Sequence, residues 1–191
     1  MDIKIENATK DQAPIIATMI MEAMNHECCK WFAGENKTLE DFHRLMTKLV
    51  EDTNSQYSFK NTLIATNEQK EVIGVCVSYD GGNLHQLRQG FIEGALKEFG
   101  KDYSDMDDET TQGELYIDSL CVSKTHRKKG IATKLLKATI EKGKKLGLPA
   151  GLLVDEGNPK AEKLYKAIGF IYKDNNKWGG HNMRHLVLPI I

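Results

Sequence analysis

The sequence predicts a mixed α/β domain, and three observations carry that expectation. Stretches rich in β-branched and large apolar residues recur along the chain, the strongest from Leu115 to Ser123. Between them, apolar residues repeat at helical spacing. The chain has 191 residues, 40% hydrophobic and 28% charged, which is the size and balance of one domain with a sizeable core.

The elements follow in order. Ile3 and Ile5 alternate with polar neighbours and predict a short first strand. A helix starts near Thr9, with Pro14 early and with Ile15, Ile16, Met19, Ile20, Ala23 and Met24 on its apolar face; the chain breaks around Ala33-Gly34-Glu35-Asn36. Thr38 caps a second helix, with Asp41 as its acidic partner and Phe42, Leu45, Met46 and Leu49 facing inward. Thr62–Thr66 and Val72–Tyr79 read as a hairpin around Asn67-Glu68-Gln69-Lys70. Gly81-Gly82 ends it.

Residues 83–113 then hold a helical stretch (Leu84, Leu87, Phe91, Ala95, Leu96, Phe99) and an acidic run from Asp102 to Glu109. They read as an insertion between the third and fourth strands of a single domain spanning 1–191. After the strong strand, a basic turn enters a helix from Gly130 to about Leu146, striped by Ile131, Leu135, Leu136, Thr139, Ile140 and Leu146. Gly147 and Pro149 stop it. Gly151–Asp155 is a strand. Asn158 opens a short helix with Ala161, Leu164, Tyr165 and Ile168 on one face and Gly169 as its left-handed terminator. Phe170–Tyr172 and Leu186–Leu188 are the final strands.

The bulk numbers exclude more than they name. Net charge is −1, so global electrostatics select no partner. Locally, Lys124 to Lys145 is dense in Lys and Arg, which suits an anionic ligand. The start shows no basic region followed by an apolar run, and no apolar stretch reaches the ~18 residues of a membrane span. Cys28, Cys29, Cys76 and Cys121 form no CxxC pair and no zinc spacing, so reduced thiols in a cytoplasmic protein are expected. His181 and His185 would share a strand face without a third ligand, so no metal site is expected.

The chemistry concentrates at strand, basic turn, glycine, helix. A helix N-terminus offers free N–H groups and a positive dipole end, both suited to phosphate. The segment is neither GxxxxGK[ST] nor GxGxxG. Arg127, Gly130 and Ala132 instead resemble the Arg/Gln-x-x-Gly-x-Gly/Ala motif of the Gcn5-related N-acetyltransferases. Asn158-Pro-Lys-Ala161-Glu-Lys-Leu164-Tyr165-Lys-Ala-Ile-Gly169-Phe170 resembles that family's second hallmark, in the right order and separation. The match is close over Leu115 to Phe170.

The resemblance implies a central, mixed, mostly antiparallel twisted sheet of about six or seven strands flanked by helices, with acetyl-CoA as cosubstrate. It implies that backbone groups of Leu120, Cys121 and Val122 pair with the cofactor arm as an added strand would. Amides from Arg127 through Lys128, Lys129, Gly130, Ile131, Ala132 and Thr133 would hold the pyrophosphate. Asn158 would bond the arm, and Tyr165 would protonate the departing thiolate.

Acetyl transfer to an amine needs a base. Many relatives carry Glu where this chain has Tyr116, and others use the place held by Leu153. The candidates here are Asp118 and Glu114, which share a strand face with Tyr116 and Leu120 unless a bulge intervenes. An ordered water is the alternative. Cys121 as a nucleophile lacks a His suggested by local sequence.

The implied acceptor is a small-molecule or peptide amine, bound near His26, Glu27, Trp31 and Phe32 and near Trp178 to His181. The acidic run is a candidate attractor for a cationic amine. No nucleic-acid or membrane partner is expected. Homodimers are common in the family, and the oligomeric state stays open. A catalytically silent acyl-CoA-binding module is the alternative function.

Overall fold

The computed structural model describes residues 3–190; Met1, Asp2 and Ile191, and with them the ends of the 1–191 domain expected above, lie outside the described residues. Strands β1 (Lys4–Asn7), β2 (Thr62–Thr66), β3 (Val72–Asp80), β4 (Leu115–Val122), β5 (Ala150–Asp155), β6 (Ile171–Trp178) and β7 (His181–Leu188) form one sheet in the order β1-β2-β3-β4-β5-β7-β6. Every neighbouring pair is antiparallel except β4 and β5. This is the mostly antiparallel mixed sheet expected.

Helices α1 (Ala13–Met24), α2 (His26–Ala33), α3 (Leu39–Glu51) and α4 (Leu84–Phe99) cover one part of the sheet, and α5 (Ile131–Leu146) and α6 (Pro159–Ile168) cover another. Two separate apolar clusters result. Ile16, Phe32, Phe42, Met46 and Phe91 pack with Val75 and Val77; Leu135, Leu136 and Phe170 pack with Cys76, Ile117 and Leu152. Val75, Cys76 and Val77 alternate between the clusters, as side chains of a strand must. Burying each such large side chain contributes roughly 1.5–3 kcal/mol.

Local chemistry sets the boundaries. Thr38 caps α3 as expected: its Oγ1 accepts from Asp41 N at 3.1 Å, and its own N–H donates to Asp41 Oδ2 at 2.7 Å. The first helix is shorter than expected at both ends. Thr9 caps a 3-10 turn over Lys10–Gln12, and Asn25, at φ 67°, ends α1 and caps α2 by accepting from Cys28 N. Asn tolerates that left-handed φ and has the side-chain oxygen the cap needs. Leu96 and Leu146, assigned to apolar stripes, are exposed; each lies in its helix's last turn. Strands β6 and β7 run further than their apolar residues suggested. Residues 173–177 are polar because β6 is the sheet edge, and Gly179 and Gly180, both at positive φ, turn the chain between the strands.

Candidate active site

Two irregularities of β4 create a cleft. Its register against β3 jumps from Ile117↔Ser78 to Ser119↔Val77, so Asp118 is an extra, unpaired residue. Such a bulge re-aims side chains. Tyr116 remains beside Tyr79, and Asp118 accepts from the same Tyr79 hydroxyl, whereas Leu120 turns to the α5–α6 side with Ile117 and Val122. The common strand face expected for residues 114–120 therefore ends at Asp118.

The second irregularity is a parting of strands. β4 and β5 pair only at Leu115↔Ala150 and Tyr116↔Gly151; beyond these, β4 stays with β3 and β5 with β7. The β4 edge facing the gap has backbone groups without a strand partner. Ser123 N–H donates to Ile73 O, so Gly74↔Val122 is a non-hydrogen-bonded pair. By alternation, Leu120 and Val122 direct N–H and C=O toward the gap, and Cys121 directs its own toward β3. The structure thus brings Leu120 and Val122 to the expected edge and turns the Cys121 backbone away. Burial pushes the Cys121 thiol up to about 11.

At the far end of β4, Arg127 Nε donates to Val122 O at 3.1 Å and its guanidinium lies 3.5 Å from Glu22. Lys128 and Gly130 both have positive φ, 61° and 75°, folding the turn back under α5. Gly130 is the N-cap and offers no side chain, so no side-chain cap closes the first turn at Ile131, Ala132 and Thr133. A Cβ added to Gly130 would meet nothing within 4 Å. Left-handed backbone, rather than crowding, calls for glycine here. An uncapped, lysine-flanked helix N-terminus with open space at its cap fits a pyrophosphate.

The cleft has a volume of about 610 Å³, and its lining includes Asp118, Leu120, Asn158, Tyr165 and Trp178. Asn158 Oδ1 accepts from Ala161 N at 3.2 Å as the α6 cap, leaving Nδ2 as a donor. α6 carries Tyr165 onto Phe170 at 6.0 Å, and burial raises its hydroxyl to about 12. The proton stays on Tyr165 at neutral pH.

Asp118 is the electrostatic centre. Oδ1 accepts from Ser119 Oγ at 2.8 Å; Oδ2 accepts from Gln56 Nε2 at 3.1 Å and Tyr79 OH at 3.3 Å. Burial, and then the charge of Glu109, raise its carboxyl to about 7 despite these donors. Glu109 is itself buried and pairs with the buried Arg88 at 2.9 Å.

Glu114 does not line this cleft. Thr110 Oγ1 donates to one of its oxygens at 2.6 Å, His185 Nε2 lies 2.8 Å from the other, and His185 Nδ1 lies 3.1 Å from Asp174. A Cβ at Gly151 would collide with Glu114 Oε2, so only glycine lets the carboxylate pass beneath β5.

Glu109, Arg88, Gln56 and Tyr79 escaped the sequence reading. Glu109 ends the acidic run read as a candidate attractor for a cationic amine, yet Asp108 and Glu109 both turn back onto Arg88. The available signal was Arg88 itself, a lone cation four residues after Leu84 on the apolar face of α4. Of the acceptor candidates, Trp178 and His181 line the cleft; Phe32 is core, and His26, Glu27 and Trp31 border a separate cavity of about 770 Å³.

The acetyltransferase (GNAT) family matches residues 20–170, which spans both hallmarks and the parting strands. The chain belongs to the GNAT family. GNAT relatives among solved structures share its architecture over nearly the whole length. An N-acetyltransferase from Staphylococcus aureus Mu50 is 23% identical, with 97% of this chain and 100% of that one covered and a TM-score of 0.82. A second structure, described as an acetyltransferase, is 27% identical over 97% and 98% of the two chains, with a TM-score of 0.79. The spermidine/spermine N-acetyltransferase SpeG from Vibrio cholerae is 16% identical over 98% and 94%, with a TM-score of 0.57, a likeness of GNAT fold alone. A sequence search of curated proteins gives no match. Among the described residues, no helix is long and apolar enough to cross a membrane.

Proposed function

We propose that this acetyltransferase moves the acetyl group of acetyl-CoA directly to a primary amine, with Asp118 as general base and Tyr165 as general acid. The observation that carries the proposal is the pairing, in one cleft where β4 and β5 part, of a half-buried carboxyl raised to about 7 with a tyrosine that keeps its proton. Acetyl-CoA supplies an activated acyl thioester: the C–N bond forms as the C–S bond breaks, and CoA leaves as a thiolate. The α5 N-terminus from Arg127 to Thr133 binds the pyrophosphate, and the free edge of β4 at Leu120 and Val122 takes the arm as an added strand. Asn158 donates to the arm through Nδ2.

Asp118 takes the proton the amine must lose, and its raised pKa makes it a base matched to neutral pH. Val122 N–H donates to the oxygen on which charge develops. Tyr165 O–H donates to sulfur. Direct transfer is favoured because both cysteines near the reaction stay protonated: burial pushes Cys28 in the cleft, and Cys121, each up to about 11. Four free cysteines support a cytoplasmic setting.

Thiol release from acetyl-CoA across a panel of primary amines tests the proposal. Amine-dependent release with matching N-acetyl product is expected. Tight CoA binding in calorimetry without release by any amine would favour the silent acyl-CoA-binding module instead.

A further inference from the structure

Glu109 turns inward from the acidic segment joining α4 to β4, and every lone-pair direction of its carboxylate is used. Oε1 accepts from Gln56 Nε2 and from Tyr79 OH, both at 3.0 Å; Oε2 accepts from Arg88 Nη2 at 2.9 Å and from Trp178 Nε1 at 2.5 Å. These donors come from four places: the loop after α3, β3, α4, and the end of β6. A carboxylate so satisfied has no capacity left for a substrate ammonium. Yet Glu109 borders the cleft and shares two donors with Asp118: the Gln56 amide nitrogen has a proton for each carboxylate, whereas the single Tyr79 proton lies between Glu109 Oε1 at 3.0 Å and Asp118 Oδ2 at 3.3 Å.

We infer that Glu109 is a positioning residue of the active site: through the donors it shares with Asp118 it fixes that carboxyl's orientation and proton affinity, and through Trp178 it fastens the β6–β7 hairpin against the cleft. The inference rests on the reading of Asp118 as the base. It gives residues 83–113 a catalytic purpose, since the segment delivers both Glu109 and Arg88.

Arg88 sits against Glu109 and also donates to Asp108 and to the carbonyls of Met106 and Asp107, so it is committed to the segment and to Glu109's side. Its cation pairs with Glu109 and not with Asp118, whose carboxyl is raised to about 7 by burial and by the Glu109 charge. The other groups facing Asp118 stay neutral: burial raises Tyr57 from the loop after α3, Tyr79 and Cys76 from β3, and Tyr116 from β4. Lys142 on α5 spends its ammonium on Ser78. At the cleft mouth, Asp155 pairs with His181 at 3.1 Å. The Glu109 charge is thus second only to burial in raising the pKa of Asp118.

The test is the pH dependence of kcat/KM in three full-length variants. Glu109→Gln removes the anion and leaves Arg88, so the acid limb should move down by about one pH unit or more, with a lower plateau as Trp178 loosens. Tyr79→Phe leaves every buried charge in place and removes the one hydroxyl proton that Glu109 and the ionised Asp118 share, so its limb should move up. Should Glu109→Gln not fold, an unmoved limb in Tyr79→Phe overturns the link through the shared donor. Asp118→Asn should lose the limb. A limb absent from Asp118→Asn but unmoved in the other two overturns the role of Glu109 alone. A limb that persists in Asp118→Asn overturns the base assignment and this inference with it.

Discussion

Replacing Asp118 by Asn should separate catalysis from stability, because the same burial that makes the carboxyl a useful base makes it costly to ionise. With a pKa of about 7, roughly a tenth of the wild-type enzyme is in the basic form at pH 6, half at pH 7 and nearly all by pH 9. Its kcat/KM should therefore rise about fivefold between pH 6 and 7, and about twofold more above that. Asn cannot take a proton, and general-base catalysis typically contributes about 10²–10⁴-fold, so the plateau should fall at least about 10²-fold, near 3 kcal/mol.

Stability should move the other way. A carboxyl whose folded pKa lies above its unfolded value disfavours the fold progressively as pH rises from about 4 through about 7. The amide that Asp118→Asn introduces would keep the acceptor for Gln56 and Tyr79 and offer an N–H to Ser119, so the variant's Tm should exceed wild type at pH 8 and match it near pH 4. Initial rates of thiol release across pH, with thermal melts in the same buffers, check both halves. Retention of the acid limb, or a lower Tm at pH 8, would refute the reasoning.

Other consequences are equally direct. Tyr165→Phe keeps the ring on Phe170 and loses the proton donor; kcat should fall about 10²-fold with CoA affinity unchanged in calorimetry. Gly130→Ala forces a Cβ onto φ 75° with or without CoA, so folding stability in a denaturant titration should fall by roughly 1–2 kcal/mol, while an amine's KM at saturating acetyl-CoA stays put. The hydrogen bond to Glu114, foremost, raises the pKa of His185, so their link stabilises the fold below the unfolded histidine value of about 6.5 and is lost as pH rises through the higher folded value. His185→Gln should lower Tm more at pH 6 than at pH 9, and an equal loss at both would contradict that assignment.

Much of this was legible in the sequence because local rules governed it. Thr38 with Asp41, the hairpin from Thr62 to Tyr79, and Gly130 before an amphipathic helix are short-range statements, and each element formed near its expected boundaries. Asn25 was harder, since a left-handed residue inside an apolar run gives no signal beyond its side chain. Strands β6 and β7 were underestimated because an edge strand of Lys, Asp and Asn has no alternation to reveal it. The site divides similarly. Tyr165 and Asn158 sit in a contiguous motif, whereas Glu109 and Gln56 acquire their role only through contacts 21 to 69 residues away, which spacing alone does not encode. The bulge at Asp118 belongs to the same class, because it is a property of the β3–β4 pair.

Direct transfer to an amine shows itself in the first turnover. Enzyme preloaded with acetyl-CoA should release no thiol until an amine is added. Thiol and N-acetylamine should then appear together, in equal amounts, at a rate that follows deprotonation of Asp118. A burst of thiol before the amine arrives, or thiol without N-acetyl product, would contradict the account.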